Sequence, residues 1–243
     1  MRRGGEPDGG GTERIIVCGR YLSALPPAEL ARVFRIFDEL PNVTPSWNVA
    51  PTARRPVVRL HPATARRRLD LLSWGLVPGF TTDLKAARKP INARAETVAR
   101  SPLFRGAFER RRCLVPADGF YEWRVEQGGK QPYAVARTDG RPMALAGLWE
   151  GWRSADGEIL RSYAIITTAA NTDMAALHDR MPLILEEADW PVWLGEVPGA
   201  PDALLAPPQP GNLRLWPVST AVNSVRNDRP ELADRLAEPV RAD

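Results

Sequence analysis

The sequence predicts an α+β fold: a single domain built on a curved, mostly antiparallel, barrel-like sheet with flanking helices. Three observations predict it. Runs rich in β-branched and aromatic residues recur through the middle of the chain, separated by glycine-containing turns. Only one long stretch, early in the chain, carries helical apolar spacing. No internal repeat or linker divides the 243 residues, a length that suffices for one sizeable core.

Residues 1–14 are glycine-rich and polar, without apolar periodicity, and read as a disordered leader. Residues 15–22 (IIVCGRYL) read as the start of a buried strand. After Pro26-Pro27, Leu30, Val33, Phe34, Phe37 and Leu40 fall on one face of a helix ended by Pro41. A loop containing Pro45, Trp47, Asn48 and Pro51 follows, then strands at PVVRL and at residues 69–77, closed by Pro78-Gly79. Residues 81–100 read as an irregular basic stretch, and 101–112 as a short helix with Phe104 and Phe108. CLVPADGFYEW reads as strand, turn at Asp118-Gly119, strand. Three more strands follow at PYAVARTDG, PMALAGLWEGW and ILRSYAIITTAA. Then come a short helix over 171–177, a strand at LIL, and a helix carrying Trp190, Trp193 and Leu194 that Asp189 could cap. Residues 196–211 are a proline-rich loop, RLWPVS is a last strand, and 231–243 form a polar tail. The domain is thus expected over 15–230.

Composition sets limits on function. The chain is 44% hydrophobic and 26% charged, with a formal net charge of +4, which permits a polyanionic partner without requiring one. Lysine stands only at Lys85, Lys89 and Lys130; arginine supplies the rest of the positive charge, and its planar fork suits phosphate. The two cysteines and two histidines have no metal-ligand spacing, so neither metal nor cofactor is expected. No apolar run is long enough to cross a membrane, and Met1-Arg2-Arg3 has no apolar stretch behind it to make a secretory signal. A cytoplasmic, monomeric protein with reduced thiols is the expectation, nucleoid-associated when a nucleic acid is bound.

Several residues could carry chemistry. Cys18 is either an ordinary buried thiol or, if it ever becomes the first residue, a 1,2-aminothiol. Glu122 lies among Phe120, Tyr121 and Trp123. Strand alternation puts Phe120 and Glu122 on one face, so Glu122 is either a desolvated acid/base or an outward strand residue. His178 is a proton shuttle or a helix-end residue, and Asn48 an amide that holds a reacting group or a turn asparagine. Asn92 and Arg94 contact phosphate or sit on a solvated surface; Trp74 is core or a base-stacking platform.

In order along the chain stand Cys-Gly-Arg-Tyr, Trp-Asn-Val-Ala-Pro-Thr, Trp-Gly-Leu-Val-Pro, Ile-Asn-Ala-Arg-Ala-Glu-Thr, Arg-Cys-Leu-Val-Pro-Ala-Asp-Gly-Phe-Tyr-Glu-Trp and His-Asp-Arg-Met-Pro. This ordered set, from Cys18 to about Val225, resembles the SOS-response-associated peptidase (SRAP) family, whose members crosslink to abasic sites in single-stranded DNA. The resemblance implies that Cys18, as residue one, attacks the ring-opened abasic aldehyde with its α-amine and closes a thiazolidine with its thiol. It implies that Glu122 is the general acid/base, that Asn48 orients amine and sugar, and that His178 handles protons in imine chemistry and crosslink reversal. Arg94 would bind phosphate with Arg20 and Arg180. Trp74 would shape the DNA groove, with Asn92 beside Arg94 and Thr167 in contact.

The chain departs from the family pattern in the seventeen residues before Cys18. A misassigned start is the favoured explanation: Val17 stands where the family has Met, and a GTG codon specifies either. Cleavage of a real leader, or loss of crosslinking, are the others. Two rival functions use the same residues: a cysteine-type peptidase built on Cys18, His178 and Asn48, and a non-covalent single-stranded DNA-binding module.

Overall fold

The computed structural model describes residues 18–237. The leader over 1–14 and residues 15–17 of the first expected strand lie outside them. The strands are β1 (Arg20–Ser23), β2 (Ser46–Val49), β3 (Arg54–Leu60), β4 (Arg67–Trp74), β5 (Asn92–Arg94), β6 (Arg112–Ala117), β7 (Gly119–Glu126), β8 (Gly129–Arg137), β9 (Met143–Arg153), β10 (Ile159–Ala169), β11 (Arg180–Pro182), β12 (Ile184–Leu185) and β13 (Leu213–Pro217). The helices are α1 (Pro27–Phe34), α2 (Arg105–Arg110) and α3 (Trp190–Leu194), with short 3₁₀ turns between other elements.

The strands form two sheets. The five-stranded sheet runs β13-β8-β7-β1-β2, antiparallel throughout. The eight-stranded sheet runs β11-β10-β4-β3-β6-β9-β12, with β5 also on β10. Because β9 pairs with β10 as well as with β6, the five strands β10-β4-β3-β6-β9 close into a ring. Only β4 and β5 run parallel to β10. The fold is therefore the expected α+β class, with a mostly antiparallel, barrel-like sheet.

Both faces of the barrel strands are buried, and strand alternation divides their side chains between two cores. Val57, Leu72, Cys113, Val115 and Ile165 point into the core between the sheets, which also holds Cys18, Tyr21, Trp74, Phe120 and Tyr163. Their neighbours Val58, Leu69, Leu114 and Ile166 face the helices, packing with Leu30, Phe34, Trp190 and Trp193. The chain passes between sheets at Gly119, where a Cβ would lie 2.5 Å from the Val135 carbonyl oxygen. Only glycine fits so close an approach.

Five local expectations differ from what the structure holds. The first helix stops at Phe34 rather than Leu40: Arg35 adopts a left-handed conformation (φ 55°), and the Ile36 N–H returns to the Ala31 carbonyl at 2.9 Å. This six-to-one closure buries Ile36 and leaves Phe37 outside, 88% exposed, although its spacing matched the apolar face. The proline-bounded loop contains β2, which pairs Tyr21 with Val49 and Ser23 with Ser46 as an edge strand, a position that tolerates flanking prolines. The basic stretch contains β5. Residues 172–177 form successive turns rather than a helix, and Asp189 makes no side-chain cap. The packed structure also includes the start of the polar tail, where Leu232 is buried beside Leu22, Tyr121 and Val222.

Candidate active site

The site forms where β7 of the five-stranded sheet meets the segment leading into β1. In β7, alternation points Phe120 and Glu122 inward and sends Tyr121 and Trp123 to the opposite face, where they pack near Val218 and Val222. Glu122 is only 1% exposed. Arg20 lies opposite Tyr121 in the β1·β7 register, which brings Cys18, two residues earlier, to the inner face of β7. The Cys18 backbone nitrogen donates to Glu122 Oε2 at 3.0 Å, and the Trp123 N–H donates to Oε1 at 3.3 Å.

Electrostatics follow from that burial. Desolvation pushes the Glu122 carboxyl up to about 7; the two N–H donors pull it back, and the negative charge of Asp179 adds to the rise. Glu122 therefore changes protonation near neutrality. The fully buried Cys18 thiol is pushed well above its ordinary range, first by desolvation and then by the Glu122 charge, so it stays protonated at rest.

His178 sits half-buried beside β11. Its Nδ1 accepts the Arg180 backbone N–H at 3.0 Å. Asp179 Oδ1 also lies 2.8 Å from Nδ1, a pairing that needs a proton there. Desolvation lowers the imidazole pKa more than Asp179 raises it. The neutral ring with Arg180 as its partner is the resting form, and it carries its proton on Nε2.

The other residues singled out from the sequence act mostly through structure. Asn48 is buried: its Nδ2 donates to the carbonyls of Val222 (3.1 Å), Ser224 (3.1 Å) and Asn227 (2.8 Å), and its Oδ1 accepts from Arg20 at 2.8 Å. Arg20 also donates to the Val222 and Asn223 carbonyls. The pair clamps the 222–227 segment against β1 and β2, which occupies the groups that would orient an amine or grip a phosphate. Trp74 is core rather than a stacking platform: it is buried, packs edge-on to Tyr21 at 5.2 Å and parallel to Tyr163 at 6.4 Å, and donates through Nε1 to the Ile91 carbonyl. Thr167 is buried as well, its carbonyl accepting from Ala95 N–H and from Arg180 Nη2. Arg180 forks onto Glu96 at 2.8 and 3.1 Å. Asn92 and Arg94 lie on β5, beside Ile165 and Thr167 of β10; Arg94 is exposed, its carbonyl accepts the Thr97 and Val98 N–H groups, and among the described residues its guanidinium has no hydrogen bond or ion pair.

Sequence reasoning missed Glu96, which holds the His178 loop through Arg180, and Asp179, which acts on Glu122. Glu96 stands within the motif Ile91-Asn92-Ala93-Arg94-Ala95-Glu96-Thr97, which was its one signal. The 222–227 segment had no signal, because it offers backbone carbonyls. Among the described residues no group of three or more His, Cys, Asp or Glu could hold a metal ion, and no helix is long and apolar enough to cross a membrane.

A family model described as SOS response associated peptidase (SRAP) matches residues 17–225. The chain belongs to the SRAP family. A relative in Bacillus subtilis strain 168, the abasic site processing protein YoqW, is 37% identical over 224 residues, which span 90% of this SRAP chain and 99% of the relative. The abasic site processing protein HMCES of Xenopus tropicalis is 33% identical over 260 residues, spanning 88% of this chain and 77% of HMCES. The abasic site processing protein YedK of Escherichia coli K12 is 34% identical over 196 residues, spanning 76% and 82%. A solved structure from Bordetella bronchiseptica superposes with a TM-score of 0.70 at 30% identity, covering 83% of this chain and all of that one. Another, from Bacteroides thetaiotaomicron, has a TM-score of 0.77 at 24% identity, covering 90% of this chain and all of that one, and shares the fold.

Proposed function

We propose that this SRAP protein captures abasic sites in single-stranded DNA as a covalent thiazolidine adduct, with Cys18 as the first residue of the working chain. The observation that carries the reading is the 3.0 Å contact between the Cys18 nitrogen and a buried carboxyl whose pKa lies near 7. An α-amine has an ordinary pKa near 8. Glu122 in its ionised form takes the proton of such an ammonium and frees the nucleophile where it is needed.

The chemistry then balances. The amine adds to the C1′ aldehyde of the ring-opened sugar, giving a carbinolamine. Neutral Glu122 protonates its hydroxyl, water leaves, and an iminium remains beside the Glu122 carboxylate. The Cys18 sulfur attacks the iminium carbon, the electrons of the C=N bond return to nitrogen, and the thiol proton passes to Glu122. The product is aldehyde plus aminothiol less one water, and Glu122 ends protonated, holding the one proton that came from the ammonium until it passes to solvent. Acting in both directions requires a pKa near the working pH, which burial supplies. His178 Nε2–H serves as a second proton carrier for imine formation and reversal.

The remaining residues take places consistent with their contacts. Arg94 binds phosphate next to the lesion, and Asn92 flanks it on β5. Arg20, Asn48, Trp74, Thr167 and Arg180 are positioning residues: they fix the Cys18 segment, the barrel mouth and the His178 loop. A resting thiol held protonated by burial favours ring closure after imine formation over direct attack on a peptide carbonyl. The reaction needs a reduced thiol, which places it in a reducing compartment alongside DNA, and one chain supplies every group named.

The experiment compares a protein beginning at Cys18 with the full 243-residue chain, each incubated with an abasic single-stranded oligonucleotide. The Cys18-first protein is expected to give a gel-shifted adduct whose intact mass is protein plus DNA less one water. Equal capture by the full chain, with residues 1–17 still attached, would overturn the aminothiol mechanism.

A further inference from the structure

A second cluster of arginines lies away from Cys18 and Glu122, where β4 loses its neighbour. Between β4 and β10 the paired residues are Ser73 and Trp74 with Ser162 and Tyr163, so among the described residues the Arg67–Leu71 end of β4 has no strand on that side. A cleft of about 360 Å³ opens there, its lining including Glu39, Arg54, Arg68, Asp70, Leu71 and Arg161. Arg59 lies behind it, opposite Arg68 in the β3·β4 register.

Charge and desolvation at this cleft are unbalanced. Asp70 is shared between Arg59 and Arg68, and Arg54 reaches only the Leu71 carbonyl at 3.4 Å. Arg161 pairs through its backbone with Gly151, but its side chain is exposed and, among the described residues, has no hydrogen bond or ion pair. Four guanidiniums thus face two carboxylates. Arg59 is only 4% exposed, its guanidinium stacks 4.5 Å over Trp149, and its Nε has no hydrogen-bond partner. Desolvation, together with the like charges of Arg161 and Arg68, lowers its pKa against the pull of Asp70. A guanidinium buried this way is favoured when a further anion arrives.

We infer that the Arg54, Arg68 and Arg161 cleft, backed by Arg59, is a second phosphate-binding site that takes the backbone of the DNA strand as it continues away from Arg94. The inference rests on the DNA-binding part of the proposed function and not on its covalent step. Its spacing is set by β10, where Arg161 lies six residues before Thr167, the partner of Arg94 in the β5·β10 register. At about 3.3 Å per residue that is about 20 Å, or about six stacked nucleotides at about 3.4 Å each. A short oligonucleotide therefore reaches one cluster and a long one reaches both.

The test uses the full chain, undamaged single strands of about 4 and about 20 nucleotides, and the salt dependence of binding. Each phosphate neutralised on a single strand contributes about 0.7 to the log–log salt slope. The double variant Arg68→Gln with Arg161→Gln is expected to lower the slope on the long strand by about 1.4 and to leave the short strand unchanged. Arg161→Lys keeps the charge and retains the slope; a melting curve matching the parent's shows that the variant is folded. An unchanged slope on the long strand overturns the inference. So does binding of inorganic phosphate by the parent but not the double variant with no change toward DNA, which would make free phosphate the ligand. Arg94→Ala lowering the slope on both lengths while the double variant lowers neither would leave the proposed function standing and remove only the second site.

Discussion

Replacing Glu122 by Gln separates chemistry from stability, because the structure gives opposite signs for the two. In the folded full-length chain the carboxyl has a pKa of about 7 against an ordinary 4.5. The native state therefore holds a proton that the unfolded state has released across that interval, and stability falls as pH rises through it. At about 1.36 kcal/mol per unit, the ionised side chain costs the fold about 3 kcal/mol above pH 7. Gln cannot ionise. The variant and parent should be similarly stable near pH 4, and the variant should gain on the parent through neutrality, by roughly 2–4 °C in melting temperature per kcal/mol for a domain of this size. Crosslinking by the Cys18-first form should move the other way: the rate should drop by about 10²–10⁴-fold, the usual worth of a positioned acid or base, while affinity for DNA stays level. The assay is thermal melting of both full-length proteins from pH 4 to 9, with single-turnover crosslinking of the Cys18-first pair. Parallel stability–pH curves would show that Glu122 is not desolvated as described; an unaltered rate would remove it from the mechanism. The Cys18-first parent should show a shallower pH dependence than the full chain, since an ammonium 3.0 Å from Oε2 pulls the carboxyl back down.

Two further outcomes follow from other parts of the structure. Arg94→Ala should weaken binding to abasic and undamaged strands alike and lower the salt slope by about 0.7, as loss of one phosphate contact on a single strand does; an effect confined to abasic strands would contradict that role. Trp74→Ala should destabilise the fold by about 3–5 kcal/mol through the cavity left against Tyr21 and Tyr163. Denaturant unfolding would measure it, and a cost below about 1 kcal/mol would mean the indole is not the core side chain its burial indicates.

The α+β class was legible because alternation and turn chemistry are local. So was the inward face of β7: Phe120 packs between the sheets and Glu122 follows it there. The end of α1 was not legible, since whether Phe37 continues the apolar face or escapes depends on Arg35 turning left-handed so that Ile36 can bury. Residue types identified Cys18, Glu122 and His178 as chemically apt, and their roles came from the family pattern. What no pattern carried was the use of polar side chains on backbone. Asn48 and Arg20 stand in the motifs and read as contacts for amine or phosphate, yet the structure spends both on carbonyls of residues 222–227. A carbonyl belongs to every residue, so a side chain satisfied by one leaves no trace in its partner's identity. Arg94 and Arg180 looked alike for the same reason; only the fork onto Glu96 separates a structural arginine from an exposed one.

The geometry at Cys18 bears on why the proposed nucleophile has to be terminal. Cys18 has φ 47°, in the left-handed region that side chains other than glycine enter at a cost of roughly 1–2 kcal/mol. That torsion exists only while a peptide bond precedes the residue. With the bond, the nitrogen is an amide, its lone pair is delocalised into the carbonyl, and its contact with Glu122 is a hydrogen bond and nothing more. Without the bond, the torsional cost disappears, the same nitrogen becomes a nucleophile, and the same carboxyl becomes the acceptor of its proton. The neighbouring contacts are made downstream of Cys18: β1 is held by β7 on one side and β2 on the other, and Arg20 is tied to Asn48 and the 222–223 carbonyls. Strand pairing from Arg20 onward thus holds the Cys18 nitrogen beside Glu122.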